Sequence, residues 1–144
     1  MRTEANVLDD LAKLALPEGG WGYTPGQGPH LEATCLALMA LAPHERYAPA
    51  VDAARAWLET CSAGDGTYRL GRGRHEAAWP TALVLFARAA LGDPLERLAP
   101  VARGLLAVRG RHADLKDDED INDVDGTLIG WPWAEGNFSW VEPT

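Results

Sequence analysis

Apolar residues along the 144-residue chain recur at helical spacing, and nothing alternates with period two over a useful length. The segments LEATCLALMALA (31–42) and WPTALVLFARAAL (79–91) are apolar nearly all round, with a single charge in each. Such helices are expected to be buried on every side, so both are read as inner helices. Their partners PAVDAARAWLETC (49–61) and PVARGLLAVRG (100–110) carry Pro at the expected first helical position. In the first of them Asp52, Arg55 and Glu59 oppose Val51, Ala54 and Leu58, the pattern of a surface helix. The pattern therefore predicts outer helices over 49–62 and 99–110, and VLDDLAKLAL (7–16) predicts a further outer helix over 5–16. The fold class is all-α, built as α/α-hairpin repeats of inner and outer helices.

The chain repeats itself. Trp21, Tyr68 and Trp131 each stand thirteen residues before a threonine, namely Thr34, Thr81 and Thr144. Eleven residues after the same aromatics stand Glu32, Trp79 and Glu142. The first two units are 47 residues apart in this register and the third follows after 63, its excess falling in 109–125. A second register, ERYAP (45–49) against ERLAP (96–100), gives 51 and suggests about four residues gained near Leu91-Gly92-Asp93-Pro94. The remainder divides into an acidic loop over 112–126 and a third-repeat loop over 127–144, so residues 1–144 read as a single repeat domain.

Charge narrows the function classes. A formal net charge of −8 and a pI near 4.9 argue against nucleic-acid binding by counterion release and against docking on anionic membranes. No uncharged apolar stretch is long enough to span a bilayer, and the expectation is a cytoplasmic protein. Cys35 and Cys61 lack metal or disulfide spacing and read as buried reduced thiols. His30, His44, His75 and His112 show no ligand spacing with them, so no metal and no cofactor is predicted. The glycines of GQG (26–28) and GRG (71–73) read as turn formers rather than a phosphate cradle.

The stretch WLETCSAGDGTY (57–68) resembles the repeat of the terpenoid cyclase and protein prenyltransferase superfamily, the prenyltransferase and squalene-oxidase "QW" type. There an outer helix ends in an aromatic-Leu pair and runs into Gln-x-x-Asp-Gly-x-Trp. ALPEGGW (15–21) is similar with Glu18 in the Asp position, and GWPWAEGNFSWVEPT (130–144) resembles a form met in uncharacterised bacterial members. The resemblance implies an α/α toroid around a central cavity, of which this chain holds about half: two complete helix pairs and the start of a third. Ala15 and Ser62 occupy the Gln position, so the family's side-chain tie between helix end and loop is expected to be missing in both units.

Candidate chemistry is weighed against plain structural roles. The segment LKDDEDINDVDG (115–126) offers Asp123 and Asp125 as acids. The Asp-x-Asp-Asp of class II cyclases fails at Gly126, an Asp-Asp-x-x-Asp metal site fails at Ile121, and a calcium loop read back from Gly126 fails at Ile121 and Pro132. A solvated acidic loop is the expectation. Glu32 and Glu142 fall where carbohydrate-active toroids place catalytic acids, but a carboxylate at a helix N-terminus is first a cap. Trp131, Trp133 and Trp140, with Trp21 and Tyr68, read as packing plugs or as an aromatic surface, and Trp79 and Phe86, seven apart on one helix face, as candidates to line a cavity.

The leading expectation is a non-catalytic repeat module, a fragment or half-toroid offering an apolar surface to a complementary half or to itself. Leu83, Val84, Leu85 and Phe86 are expected to lack neighbours in a monomer. The alternatives are a terpene cyclase-like or prenyl-transferring enzyme with an apolar isoprenoid-like ligand and, third, a carbohydrate-binding or carbohydrate-active toroid.

Overall fold

The computed structural model describes residues 3–70, 78–108 and 132–134. Helix α1 (Glu4–Lys13) starts at Thr3, whose hydroxyl accepts the Asn6 N–H at 3.4 Å, with Glu4 in its first turn and Lys13 in its last, both favourable to the helix dipole. Helix α2 (Leu31–Leu41) starts at His30, whose Nδ1 accepts the Glu32 N–H at 3.3 Å. A 3-10 turn (Glu45–Tyr47) leads into α3 (Ala48–Thr60), which carries Pro49 in its first turn. Helix α4 (Trp79–Ala90) closes when Gly92 turns left-handed (φ 73) and the Asp93 N–H reaches back to the Arg88 carbonyl at 3.0 Å. Helix α5 (Leu95–Ala107) is the last helix among the described residues.

The protein is all-α: among the described residues there is no strand, and Ser62 and Tyr68 form an isolated bridge. None of these helices is long and apolar enough to cross a membrane.

Three expectations change. Helix α1 ends at Lys13 rather than 16. Helix α5 occupies Leu95–Ala107 rather than 99–110, so Pro100 lies inside it instead of opening it. Pro94 takes the N-cap, its extended φ −67 and ψ 153 suiting the entry to a helix, and α5 gives up one internal hydrogen bond at Pro100. The likeness of ERYAP to ERLAP thus misaligns the outer helices. Helices α3 and α5 start 47 residues apart, like Trp21 and Tyr68, because the connection 91–94 is two residues shorter than 42–47, which offsets the one-residue later start of α4 and its one extra residue. Lastly, the inner helices are not buried all round. Leu31, Thr34, Cys35, Leu38 and Leu41 of α2 face the core with Val84 and Ala87 of α4, but Leu36 is 52% and Phe86 63% exposed.

Several contacts recur at that 47-residue offset. The Thr34 hydroxyl accepts the Trp21 N–H at 3.0 Å and donates to the Trp21 carbonyl at 3.4 Å. Thr81 does the same to Tyr68 at 3.0 and 3.4 Å. The Leu16 N–H donates to the Gly20 carbonyl and the Ala63 N–H to the Thr67 carbonyl, both at 2.9 Å. Gly19 (φ 92) and Gly66 (φ 90) lie so close to the Ala53 carbonyl of α3 and the Pro100 carbonyl of α5 that a Cβ on either would collide with backbone. A buried threonine therefore satisfies both backbone groups of the aromatic, and a left-handed glycine lets each loop lie on the next outer helix.

Candidate functional site

Helical spacing puts Glu32, Leu36 and Met39 along one side of α2, and Trp79, Leu83 and Phe86 along one side of α4. The pairs Glu32/Trp79, Leu36/Leu83 and Met39/Phe86 each stand 47 residues apart. Both helices pack on each other through their buried sides, leaving this apolar side half-buried to exposed. Of the residues expected to lack neighbours, Val84 is fully buried, Leu83 and Leu85 are half-buried, and Phe86 alone is well exposed.

At the rim, Glu32 accepts a hydrogen bond from the Tyr23 hydroxyl, and the Tyr23 ring lies 4.5 Å from that of His30, tilted by 41°. Burial, followed by the bond to Glu32 and its charge, pushes the Tyr23 phenol up to about 12. Glu32 and His30 both belong to the start of α2, one in its first turn near the dipole's positive end and one capping it. This arrangement orders the loop mouth. At the corresponding place on α4, the Trp79 ring lies 5.5 Å from Trp133 at 34°, and the Ala78 N–H donates to the Trp133 carbonyl at 2.9 Å. The Trp79 indole N–H is buried and has no hydrogen-bond partner among the described residues. Trp133 thus joins Trp79 on the side of α4 that Phe86 shares.

No family model, curated protein or solved structure matches the chain. Asp123, Asp125, Glu142, Trp131 and Trp140 lie outside the described residues, as do the acidic loop 112–126, the GRG turn and most of the third-repeat loop. Among the described residues no group of three His, Cys, Asp or Glu side chains is placed to hold a metal ion. Cys35 and Cys61 are buried free thiols, and burial pushes Cys35 up to about 12, which makes it a poor nucleophile.

Sequence reasoning missed a charged cluster on the opposite side of α4. Arg88, read as the lone charge of an inner helix, is buried, with its guanidinium paired to Glu59 of α3 and its Nε 3.3 Å from Asp93 Oδ2. Arg55 Nη1 meets Asp93 Oδ1 at 2.7 Å. The Tyr68 hydroxyl donates to Glu59 at 3.4 Å beneath the Arg88 guanidinium, 5.7 Å from the ring centre. The available signal was Arg88 itself, since a buried inner helix keeps an arginine only with partners for it.

Proposed function

We propose that the chain is a helical-hairpin repeat module of the prenyltransferase and squalene-oxidase type, part of an α/α toroid. In this reading it is non-catalytic and works through the apolar side of α2 and α4, against a second copy or a complementary half. The observation that carries the reading is Phe86, a large aromatic 63% exposed on an inner helix, beside Leu36 at 52% on its neighbour. Apolar surface of this kind marks an interaction site. The recurring threonine and glycine contacts support the repeat. Light scattering coupled to size-exclusion chromatography is the test. Concentration-dependent association that Phe86→Glu and Leu36→Glu abolish is expected, whereas a monomer melting cooperatively at high concentration overturns the proposal.

A second reading, a terpene cyclase-like or prenyl-transferring protein, draws support from the Trp79 and Trp133 rings near that surface. It requires an acid, and the candidates for one are Asp123 and Asp125.

A further inference from the structure

The 47-residue offset pairs each position of α2 with a counterpart in α4, and burial differs between them along two stripes. Ala82, Leu85, Phe86 and Ala89 are each more exposed than their counterparts Cys35, Leu38, Met39 and Ala42. Cys35 and Leu38 are fully buried, whereas Leu85 is half-buried and Phe86 exposed. Spaced i, i+3, i+4 and i+7, these four positions of α4 form one face. The second stripe runs the other way: Pro80, Leu83 and Ala87 are each more buried than Ala33, Leu36 and Ala40. They too lie along one face, spaced i, i+3 and i+7.

Neighbours account for both stripes. Among the described residues α2 has an inner helix after it, α4, and none before it; α4 has α2 before it and none after it. The stripes are therefore the two halves of one packing contact: each half is closed where α2 meets α4, and its counterpart on the other helix is open. The open halves keep the residue types of the closed ones. Leu85 stands for Leu38, Ala89 for Ala42, Leu36 for Leu83 and Ala40 for Ala87, and Phe86 replaces Met39 with a side chain of similar bulk. Every position of both open halves is apolar, although the terminal units of a repeat array need a polar outer face when nothing covers them.

Resting on the association proposed above, we infer that a second copy of this chain docks head to tail, the α4 face of Leu85, Phe86 and Ala89 in one copy packing on the α2 face of Ala33, Leu36 and Ala40 in the next. The contact continues between chains the packing that α2 and α4 already make within one. Because the two faces differ, the contact is heterologous: each copy uses one face to hold the copy ahead and the other to hold the copy behind, which builds a ring or an open array. Leu36 and Phe86 are the anchors, being the large side chains that water reaches on each face.

The test is complementation between two variants of the full chain, read by sedimentation velocity. Leu36→Glu removes only the α2 half of the contact and Phe86→Glu only the α4 half. Both side chains are exposed, so each variant is expected to melt like the parent while associating about tenfold or more weakly. Ala40→Glu and Ala89→Glu supply the same pair of lesions should either first variant unfold. An equimolar mixture is expected to regain a one-to-one pair, because the Leu36→Glu chain keeps Phe86 and the Phe86→Glu chain keeps Leu36, leaving one native contact between them. Contacts of like on like, Leu36 on Leu36 or Phe86 on Phe86, give no such recovery. A parent that associates while the mixture stays monomeric, or while either variant alone associates as the parent does, overturns the head-to-tail contact and leaves the association reading standing. A parent that stays monomeric at high concentration overturns both.

Discussion

The loops leading into α2 and α4 share a backbone and differ in what anchors their aromatic residue. In the first, the Trp21 indole N–H donates at 2.8 Å to the Leu11 carbonyl in the last turn of α1, which also accepts the Leu14 N–H at 3.1 Å. In the second, Tyr68 reaches the side chain of Glu59 and lies under Arg88, so the same slot is joined to the buried charge cluster. The loop of Tyr68 also has Asp65, whose carboxylate accepts the Thr67 N–H at 2.8 Å and the Thr67 hydroxyl at 2.6 Å. Those two bonds hold the Asp65 carboxyl below its usual range, while Glu18 in the first loop stays exposed. Helix end and loop are therefore tied in both units by the side chain of the aromatic, an indole in one and a phenol in the other. The comparison separates what must recur from what is free to vary. Backbone closure by threonine and close approach by glycine recur; the side-chain anchor varies.

The sharpest way to break this comparison is to put a side chain on the glycines. Gly66→Ala and Gly19→Ala each force a residue into φ near 90 and drive its Cβ against the carbonyl of Pro100 or Ala53. Left-handed strain alone costs about 1–3 kcal/mol, and the backbone collision adds to it, so each variant is expected to lose at least about 3 kcal/mol. Urea denaturation followed by circular dichroism measures both. A variant that keeps parental stability would show that its loop does not seat on the outer helix as its counterpart does.

How much of this was legible beforehand follows from the same residues. The inner helices were found within a residue or so of 31–42 and 79–91 because long apolar runs bounded by Pro and Gly leave few alternatives. The thirteen-residue spacing from aromatic to threonine was visible, but not its cause, because a hydroxyl closing two backbone groups leaves no periodic trace. Pro100 misled the reading of α5, since a proline inside a helix looks in sequence like a proline opening one. The cluster of Arg55, Glu59, Arg88 and Asp93 draws on three segments brought together only by packing, and no local pattern announces it.

A smaller effect is expected from the threonines. Thr34→Val and Thr81→Val keep the shape nearly unchanged but leave the N–H of Trp21 or Tyr68 without its acceptor inside the core. An unsatisfied buried donor costs about 1–3 kcal/mol, so each variant should lose that much and the double variant roughly the sum, since the two clamps share no partner. Losses that differ greatly between the two sites would mean that one loop is held chiefly by its aromatic anchor. The denaturation midpoints of the four proteins decide it.

The smallest effect separates the two anchors by titration, because an indole carries no proton to lose near pH 10 and a phenol does. Burial, assisted by Glu59 and opposed by Arg88, pushes Tyr68 up from 10.0 to about 12. The folded state thus favours the neutral phenol, whereas the unfolded chain ionises from pH 10 upward. Stability from this source is complete below pH 10 and is lost as pH rises toward 12. Tyr23 is pushed up to a similar value, but its side chain is largely exposed, so solvent screening makes its contribution smaller. Cys35, raised from 9.0, adds a slope of the same sign that no tyrosine variant removes. Tyr68→Phe is therefore expected to flatten the fall in melting temperature between pH 10 and 12 more than Tyr23→Phe does. Thermal melts across that window read the slopes directly, and a Tyr68→Phe profile parallel to the parent would show that the second anchor is not buried with its proton.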